Sequence, residues 1–153
     1  MKKILFIFAA ACAIVFSSCV KDSSCQAINP ASEETKIKDF ATIHSITATK
    51  HPSGLFYQIL DSGSAVKPTL TSKVFTTYTG RHLDYSIIEQ HTTPLVFQLN
   101  SVIPGWQIGL PLIGKGGHIL LIIPSALAYA CSGLGAVGQN EILYFDITIT
   151  DIQ

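Results

Sequence analysis

Apolar and polar residues alternate most clearly at the end of the chain. The alternation over residues 142–152 predicts a strand with one buried face. The apolar positions on that face are Leu143, Phe145, Ile147 and Ile149. Runs of apolar, β-branched and aromatic residues predict further strands at residues 55–60, 73–79, 95–99 and 118–123.

Helical patterns are found in two other segments. Apolar residues recur three positions apart among charged residues over 33–43, which predicts a helix with Ser32 as its N-cap. Those apolar residues are Ile37, Phe40 and Ile43. Pro104 fits the first turn of a short helix over residues 104–112, and the glycines of residues 130–140 predict a loop. Strands around one main helix predict an antiparallel α+β domain.

Composition narrows the possible functions. Hydrophobic residues make up 48% of the 153 residues and charged residues 13%, which is enough apolar material for a folded core. Ten basic residues balance ten acidic ones, and loss of an N-terminal leader with two lysines would leave a net charge of about −2. No basic stripe remains to bind phosphates, so nucleic acid is not an expected partner. The five histidines lack metal-ligand spacing, so no metal is expected.

Residues 1–18 have the pattern of an export signal. A pair of lysines precedes an apolar run, residues 4–16, that is too short to span a bilayer comfortably. The run ends before Cys19 in a sequence that resembles the cleavage box of bacterial lipoproteins, in which the cysteine thiol receives the lipid. The match is loose, since Phe16 and Ser18 stand where Leu and Gly or Ala are preferred. An ordinary secretory signal that is cut near Ser18 is the alternative.

The leader also predicts the organisation and location of the chain. We expect a lipoprotein signal peptide over residues 1–18, a tether and short helix over 19–50, and a folded domain over 51–153. A lipid on Cys19 would anchor the protein in a bacterial cell envelope. Val20 follows this cysteine, where an Asp would retain some lipoproteins at the inner membrane, so the outer membrane is favoured.

Two cysteines remain once Cys12 leaves with the leader and Cys19 is assigned to the lipid. Cys25 and Cys131 could pair, because an exported protein enters an oxidising compartment. Two unpaired thiols are the other possibility, and we favour it because Cys25 lies in a small, polar segment that is typical of a flexible tether.

Three motifs follow one another along the domain. They are Tyr78-Thr79-Gly80 with Leu83-Asp84, Phe97 with Val102-Ile103-Pro104-Gly105-Trp106, and Ile123-Pro124-Ser125 with Leu127-Ala128-Tyr129. Phe145-Asp146 closes the series on the last strand. In order and spacing these motifs resemble the FKBP-type peptidyl-prolyl isomerases, and the likeness extends over residues 53–153.

The resemblance implies a fold, a site and an activity. The fold would be a strongly bent antiparallel sheet wrapped around one short α-helix, with an apolar basin between helix and sheet. Trp106 would form the floor of the basin, and the aromatic walls would be Tyr78, Phe97, Tyr129 and Phe145. Val102 and Ile103 would line the rim, where the Ile103 N–H and the Tyr129 hydroxyl would donate to a substrate carbonyl. Without the family resemblance, Phe97 and Phe145 would be interpreted as core residues, because aromatic residues on strands usually belong to the core.

The same resemblance implies the partners. Isomerisation of the bond before proline in exported polypeptides requires no cofactor and no metal. The partners would be proline-containing polypeptides and, through the lipid, a membrane. No heptad or long exposed apolar helix predicts an oligomer, so a monomer is expected.

The chain departs from the family pattern after Asp84. Members usually continue with a Gly turn and Phe-Asp-Ser-Ser, whereas residues 85–91 read YSIIEQH. An alignment without gaps places Ile88 and Glu89 at the Phe and Asp, as binding residues; a gapped alignment places Tyr85 and Ser86 there, with no acid. The 130–140 loop is also atypical, since it has Gly-Gln in place of the family's Pro-Pro.

These departures leave two alternatives to an isomerase. One is a binding module that holds proline-containing or unfolded segments as a chaperone, with weak or absent isomerase activity. The other is a structural lipoprotein whose basin is filled or covered by residues 85–91.

Overall fold

The computed structural model describes residues 24–153, so the predicted signal peptide and the predicted lipid site at Cys19 lie outside the described residues. Helices α1 (Pro30–Ile43) and α2 (Pro104–Gly109) accompany the strands β1 (Thr49–Lys50), β2 (Phe56–Asp61), β3 (Lys73–Arg81), β4 (Ile87–Gln98), β5 (His118–Ile123) and β6 (Leu143–Ile152). Neither helix in this part of the chain combines the length and the apolar character that crossing a bilayer requires.

The strands form one antiparallel sheet in the order β1-β2-β5-β6-β3-β4. The strands predicted at residues 55–60, 73–79, 118–123 and 142–152 are confirmed as β2, β3, β5 and β6. The short strand β1 was not predicted. An antiparallel sheet with one short helix on its inner face agrees with the predicted α+β fold class.

The expected strand at 95–99 is wrong in extent, because β4 already begins at Ile87. β4 is an edge strand that pairs only with β3, and most of its residues remain exposed or half-buried. It therefore lacks the alternation by which the other strands were found. Pro94 is tolerated inside it because an edge strand leaves some N–H positions unpaired.

The N-terminal helix was predicted, but its first turn was not. α1 begins at Pro30, and its N-cap is Asn29, whose side-chain oxygen accepts the Ala31 N–H at 3.0 Å. Ser32, the expected cap, lies inside the helix, where its hydroxyl donates to the Asn29 carbonyl at 2.7 Å. Proline suits the first helical position because its missing N–H would have no partner there.

The two faces of the sheet carry separate apolar cores. On the outer face, α1 contributes Ile37, Phe40 and Ala41, which pack with Phe56, Leu120, Ile122, Ile142 and Tyr144. On the inner face, the predicted set Leu143, Phe145, Ile147 and Ile149 packs with α2 in the main core. The predicted sidedness of β6 is therefore confirmed, and α1 is packed against the sheet.

Cys25 and Cys131 form a disulfide, which contradicts the expectation of two unpaired thiols. Their Cα atoms lie 5.6 Å apart, although the residues are separated by 106 positions in sequence. The Asn140 side-chain amide donates to the Gln26 carbonyl at 2.8 Å and fixes the same segment. The described part of the expected tether is thus held against the 130–140 loop by contacts that its own composition does not reveal.

The short helix α2 lies unusually close to β5. A Cβ atom at Gly105 would come within 2.5 Å of an Ile123 methyl group, so only glycine permits this approach. The predicted helix over 104–112 is confirmed in position, but its last turn, Leu110–Leu112, is a 3₁₀ turn. The close packing fixes the next residue along α2, Trp106, at the inner face of the sheet.

Candidate active site

A cavity of about 310 Å³ opens on the inner face beside α2. Its lining consists of Tyr78, Glu89, Phe97, Ser101, Val102, Ile103, Trp106, Tyr129, Leu134 and Phe145. The structure therefore brings together every residue predicted for the site except Ile88. Ile88 lies in an adjoining cavity of about 240 Å³, which shares Glu89, Tyr129, Leu134 and Phe145 with the first.

Trp106 lies at the bottom of this cavity, and three aromatic rings meet its indole nearly at right angles. Ring centroids lie 5.0 Å away for Tyr78, 5.6 Å for Phe97 and 5.5 Å for Phe145, at interplanar angles of 90°, 79° and 89°. Edge-to-face contacts of this kind are favourable because the positive ring edge meets the negative face. The indole N–H is buried and has no acceptor within residues 24–153, so ring packing holds the indole in place.

Neighbouring strands position the three surrounding rings. Tyr78 lies in the middle of β3, and Phe97 lies near the end of β4. Phe145 lies on β6 directly opposite Gly80 of β3. A Cβ atom at Gly80 would approach the Phe145 ring to 2.7 Å, so the glycine of the Tyr-Thr-Gly motif leaves the space that this ring occupies.

The rim beside α2 offers a backbone donor. Ile103 is the N-cap of α2, and its carbonyl accepts the Trp106 and Gln107 N–H groups at 3.0 and 3.2 Å. Its own N–H has no protein acceptor among the described residues. The Gln107 side chain donates to the Val102 carbonyl at 2.8 Å, which fixes the peptide beside it. An N–H held at the mouth of an apolar cavity is suited to bind a carbonyl of a ligand.

Tyr129 lines the cavity from a short irregular segment. A 3₁₀ turn, Ser125–Leu127, precedes it, and the Ser125 carbonyl accepts the N–H groups of Ala128 and Ala130 at 3.1 and 2.9 Å. Ala130 has a φ of 45°, in the left-handed region that side chains other than glycine rarely adopt. The Tyr129 ring is half-buried and lines both cavities.

Glu89 is the one charged residue that lines the two cavities. Burial raises the pKa of both Tyr78 and Tyr129, and the negative charge of Glu89 raises them further. Both phenols therefore stay protonated at neutral pH and can donate hydrogen bonds. His91 lies beside this carboxylate, and its Nε2 is 3.6 Å from Glu89 Oε2.

The position of Glu89 also distinguishes between the two alignments of residues 85–91. Glu89 pairs with Gly80 across β3 and β4, and its side chain reaches the cavity. Tyr85 lies on the outer face, where its ring stacks on His44 at 4.4 Å and on Tyr144 at 5.9 Å. The geometry agrees with the alignment without gaps.

The comparisons with known proteins agree with this geometry. The sequence model of the FKBP-type peptidyl-prolyl cis-trans isomerase domain matches residues 64–150, which is more than half of the chain. The chain belongs to this family. The matched region includes every cavity-lining residue, and it leaves α1 and the Cys25 segment outside.

The related proteins include larger bacterial proteins. FkpA of Escherichia coli, named an FKBP-type peptidyl-prolyl cis-trans isomerase, is 38% identical over 104 residues, which cover 66% of this chain and 38% of FkpA. The outer membrane protein MIP of Legionella longbeachae is 33% identical over 133 residues, which cover 82% of this chain and 57% of MIP. The chain thus spans about two fifths to three fifths of the length of these relatives.

A solved structure extends the similarity to the fold. The 1.6 Å crystal structure of a peptidyl-prolyl cis-trans isomerase from Pseudomonas syringae pv. tomato has a TM-score of 0.69 and 28% identity. The match covers 84% of this chain and 98% of that one. The FKBP fold predicted from the motifs is therefore confirmed.

Two cavity residues were missed by the sequence analysis. Ser101 directly precedes the rim residues Val102 and Ile103, and this position in the sequence could have indicated that it lines the cavity. Leu134 lies in the glycine-containing 130–140 loop and is 62% exposed, and neither periodicity nor motif distinguished it. An exposed leucine beside Tyr129 gives the FKBP domain an apolar contact at the mouth of its cavity.

The charge of Glu89 generates a testable prediction. In a Glu89→Gln variant the pKa of Tyr129 should fall, because a neighbouring carboxylate disfavours the phenolate; burial should still keep it above about 10, the value of a free tyrosine. NMR titration of tyrosine-labelled protein measures this pKa directly. A Glu34→Gln control, whose carboxylate is paired with two lysines on the surface of the protein, should leave Tyr129 unchanged. An unchanged pKa of Tyr129 in the Glu89→Gln variant would contradict the claim that the Glu89 charge raises it.

Proposed function

We propose that this chain is a peptidyl-prolyl cis-trans isomerase that acts on proline-containing segments of exported polypeptides. The observation that carries the proposal is the largely aromatic and apolar cavity beside Trp106, whose lining includes Ile103, with an N–H that has no protein acceptor among the described residues, and Tyr129, with its phenol. Family membership supports the same reaction.

The chemistry of the reaction matches such a cavity. Rotation about the bond before proline breaks amide resonance, with a barrier of about 18–20 kcal/mol, and takes tens to hundreds of seconds without a catalyst. No bond is made or cleaved, so neither a nucleophile nor a metal is required. The twisted amide has lost its zwitterionic character and is less polar than the planar one. An apolar basin therefore stabilises the transition state more than the ground state, which is what accelerates the reaction.

Within this proposal each predicted site residue has a role. The proline ring lies on the Trp106 indole, between the rings of Tyr78, Phe97 and Phe145. The Ile103 N–H and the Tyr129 hydroxyl bind the carbonyls on either side of the rotating bond. Val102 and Ile103 contact the substrate backbone at the rim, while Ile88 and Glu89 contact the residue that precedes proline.

A binding module is the second candidate function. Leu134 is largely exposed beside the cavity, and this apolar contact would suit an unfolded segment whether or not the bond is rotated. The third interpretation, a structural lipoprotein, requires residues 85–91 to fill the basin. The open cavity of about 310 Å³ argues against this interpretation, as does the edge strand β4, which contains residues 87–91.

We propose that the protein works in the bacterial cell envelope, as a monomer anchored to the outer membrane by a lipid on Cys19. The export pattern of residues 1–18 and the cysteine that follows it support the anchor. The relative MIP is named an outer membrane protein, which supports the location. Within this scheme residues 1–18 are the signal peptide, 19–50 the tether and short helix, and 51–153 the isomerase domain.

The isomerase proposal predicts a specific pattern of variants. A chain that begins at Val20 should accelerate cis-trans exchange of short Xaa-Pro peptides in NMR exchange spectra. Trp106→Ala should lower kcat/KM by at least about tenfold, equivalent to about 1.4 kcal/mol of lost transition-state binding. Tyr129→Phe removes one hydrogen bond and should lower it by about fivefold. The matched control Tyr85→Phe, on the opposite face of the sheet, should retain full activity.

The same experiment separates the two candidate functions. A folded domain that binds the peptides but leaves their exchange unchanged would rule out the isomerase in favour of the binding module. Circular dichroism of each variant establishes that the fold is intact.

The anchor proposal is tested separately by expression of the full chain in a Gram-negative host. The wild-type protein should be found in the membrane fraction, and mass spectrometry should show acyl chains on its N-terminal peptide. Cys19→Ser should release it to the soluble fraction, whereas Cys25→Ser should leave it on the membrane. A soluble, unmodified wild-type protein cut near Ser18 would instead establish an ordinary secretory signal.

A further inference from the structure

The N-terminal segment contacts the Tyr129 segment from both sides. We call residues 25–43 the N-terminal brace and residues 124–131 the Tyr129 loop. Four residues before Tyr129, the Ser125 N–H donates to Glu33 Oε2 of α1 at 2.9 Å. Two residues after it, Cys131 is joined to Cys25. The brace lies outside the matched family region, so these contacts are additions to the common domain.

Glu33 is an unusual residue for this position. It is only 5% exposed, and within residues 24–153 no lysine, arginine or histidine lies within ion-pair distance of its carboxylate. A buried carboxylate without a cation is unfavourable unless hydrogen bonds stabilise it. The bond from Ser125 is charge-assisted, and the N-terminal turn of α1 favours a negative charge. The carboxylate is therefore stabilised by the Ser125 N–H of the Tyr129 loop and by the N-terminal turn of α1.

Ser125 links Glu33 to the backbone on both sides of Tyr129. Its carbonyl accepts the N–H groups of Ala128 and Ala130, the two residues that flank Tyr129. Ser125 is fully buried, and Glu33 Oε2 is the acceptor that the described residues supply to its N–H. Fixing Ser125 therefore fixes the peptide groups on both sides of the tyrosine.

The loop requires external support because its backbone is strained. Ala130 adopts a φ of 45°, in the left-handed region that is unfavourable for a residue with a Cβ atom. On the far side of the strained residue, the Asn140 N–H donates to the Ala130 carbonyl at 2.7 Å, and the Asn140 side chain reaches Gln26 of the brace. Local sequence preference would not keep this conformation by itself.

We propose that Glu33 is a positioning residue of the isomerase site: through the Ser125 N–H it holds the Tyr129 loop in the conformation that directs the tyrosine hydroxyl into the cavity. The inference rests on the proposed function for its effect on catalysis. Its structural part, the fixing of the loop, stands independently of the reaction.

The test compares variants of the full chain purified in detergent. Glu33→Ala removes the acceptor of the Ser125 N–H and should lower kcat/KM by up to about fivefold, the loss expected when the Tyr129 hydroxyl itself is removed. Glu33→Gln keeps an oxygen acceptor of the same length and should recover most of that loss. Glu34→Ala is the matched control on the same helix, since its carboxylate binds two surface lysines and should leave kcat/KM unchanged. All rates are measured well below the melting temperature of each variant.

A double-mutant cycle separates positioning from general destabilisation. If Glu33 acts through Tyr129, the loss caused by Glu33→Ala should nearly disappear in a Tyr129→Phe background, because the hydroxyl it positions is absent. A loss of the same size in both backgrounds would overturn the positioning role.

Hydrogen exchange tests the loop without reference to activity. In Glu33→Ala the amides of Ala128 and Ala130 should exchange faster by about tenfold or more, while the amides of β6 should be unchanged. Unaltered exchange at both alanines would overturn the inference, whatever the kinetics. If the wild-type chain proves inactive, the proposed function fails, and the exchange measurement still decides whether Glu33 holds the loop.

Discussion

Edge-to-face packing around Trp106 is the constraint on which the site depends. The indole is buried and its N–H has no acceptor within residues 24–153, so the packing of neighbouring rings defines its orientation. Those neighbours come from β3, β4 and β6, and α2 can present the indole to them only because Gly105 lets the helix approach β5. Core and site are therefore continuous: the rings that stabilise the inner core also form the walls of the cavity.

This continuity explains which parts of the site sequence analysis could predict. Trp106, Phe97 and Phe145 belong to motifs whose spacing is dictated by ring packing, and the structure brings them together. Tyr129 was predicted from the motif as well, although its loop is held by contacts from a distant part of the chain. The sequence therefore predicted the residues that belong to local motifs, but it did not predict the contacts that hold the Tyr129 loop.

The missed features share a physical cause. The start of β4 has no apolar alternation because an edge strand buries little, so residues 85–91 looked like an altered loop. Glu33 looked like a carboxylate that complements the N-terminal turn of a helix, a role that many exposed acids fill. The Cys25–Cys131 pairing joins residues 106 positions apart, and the polar composition around Cys25 indicates only local flexibility. Each feature is decided by tertiary contacts across the sheet or between distant segments.

The central claim is that the proline of a substrate lies on the Trp106 indole, and it is tested most directly by NMR contacts in the bound state. Trp106 is the only tryptophan in the chain, so its ring signals can be assigned without ambiguity. Nuclear Overhauser contacts between the proline ring protons of a short Xaa-Pro peptide and the indole, together with contacts to Phe145, are the predicted result. Proline contacts confined to other surfaces, in a chain that still accelerates exchange, would contradict the account.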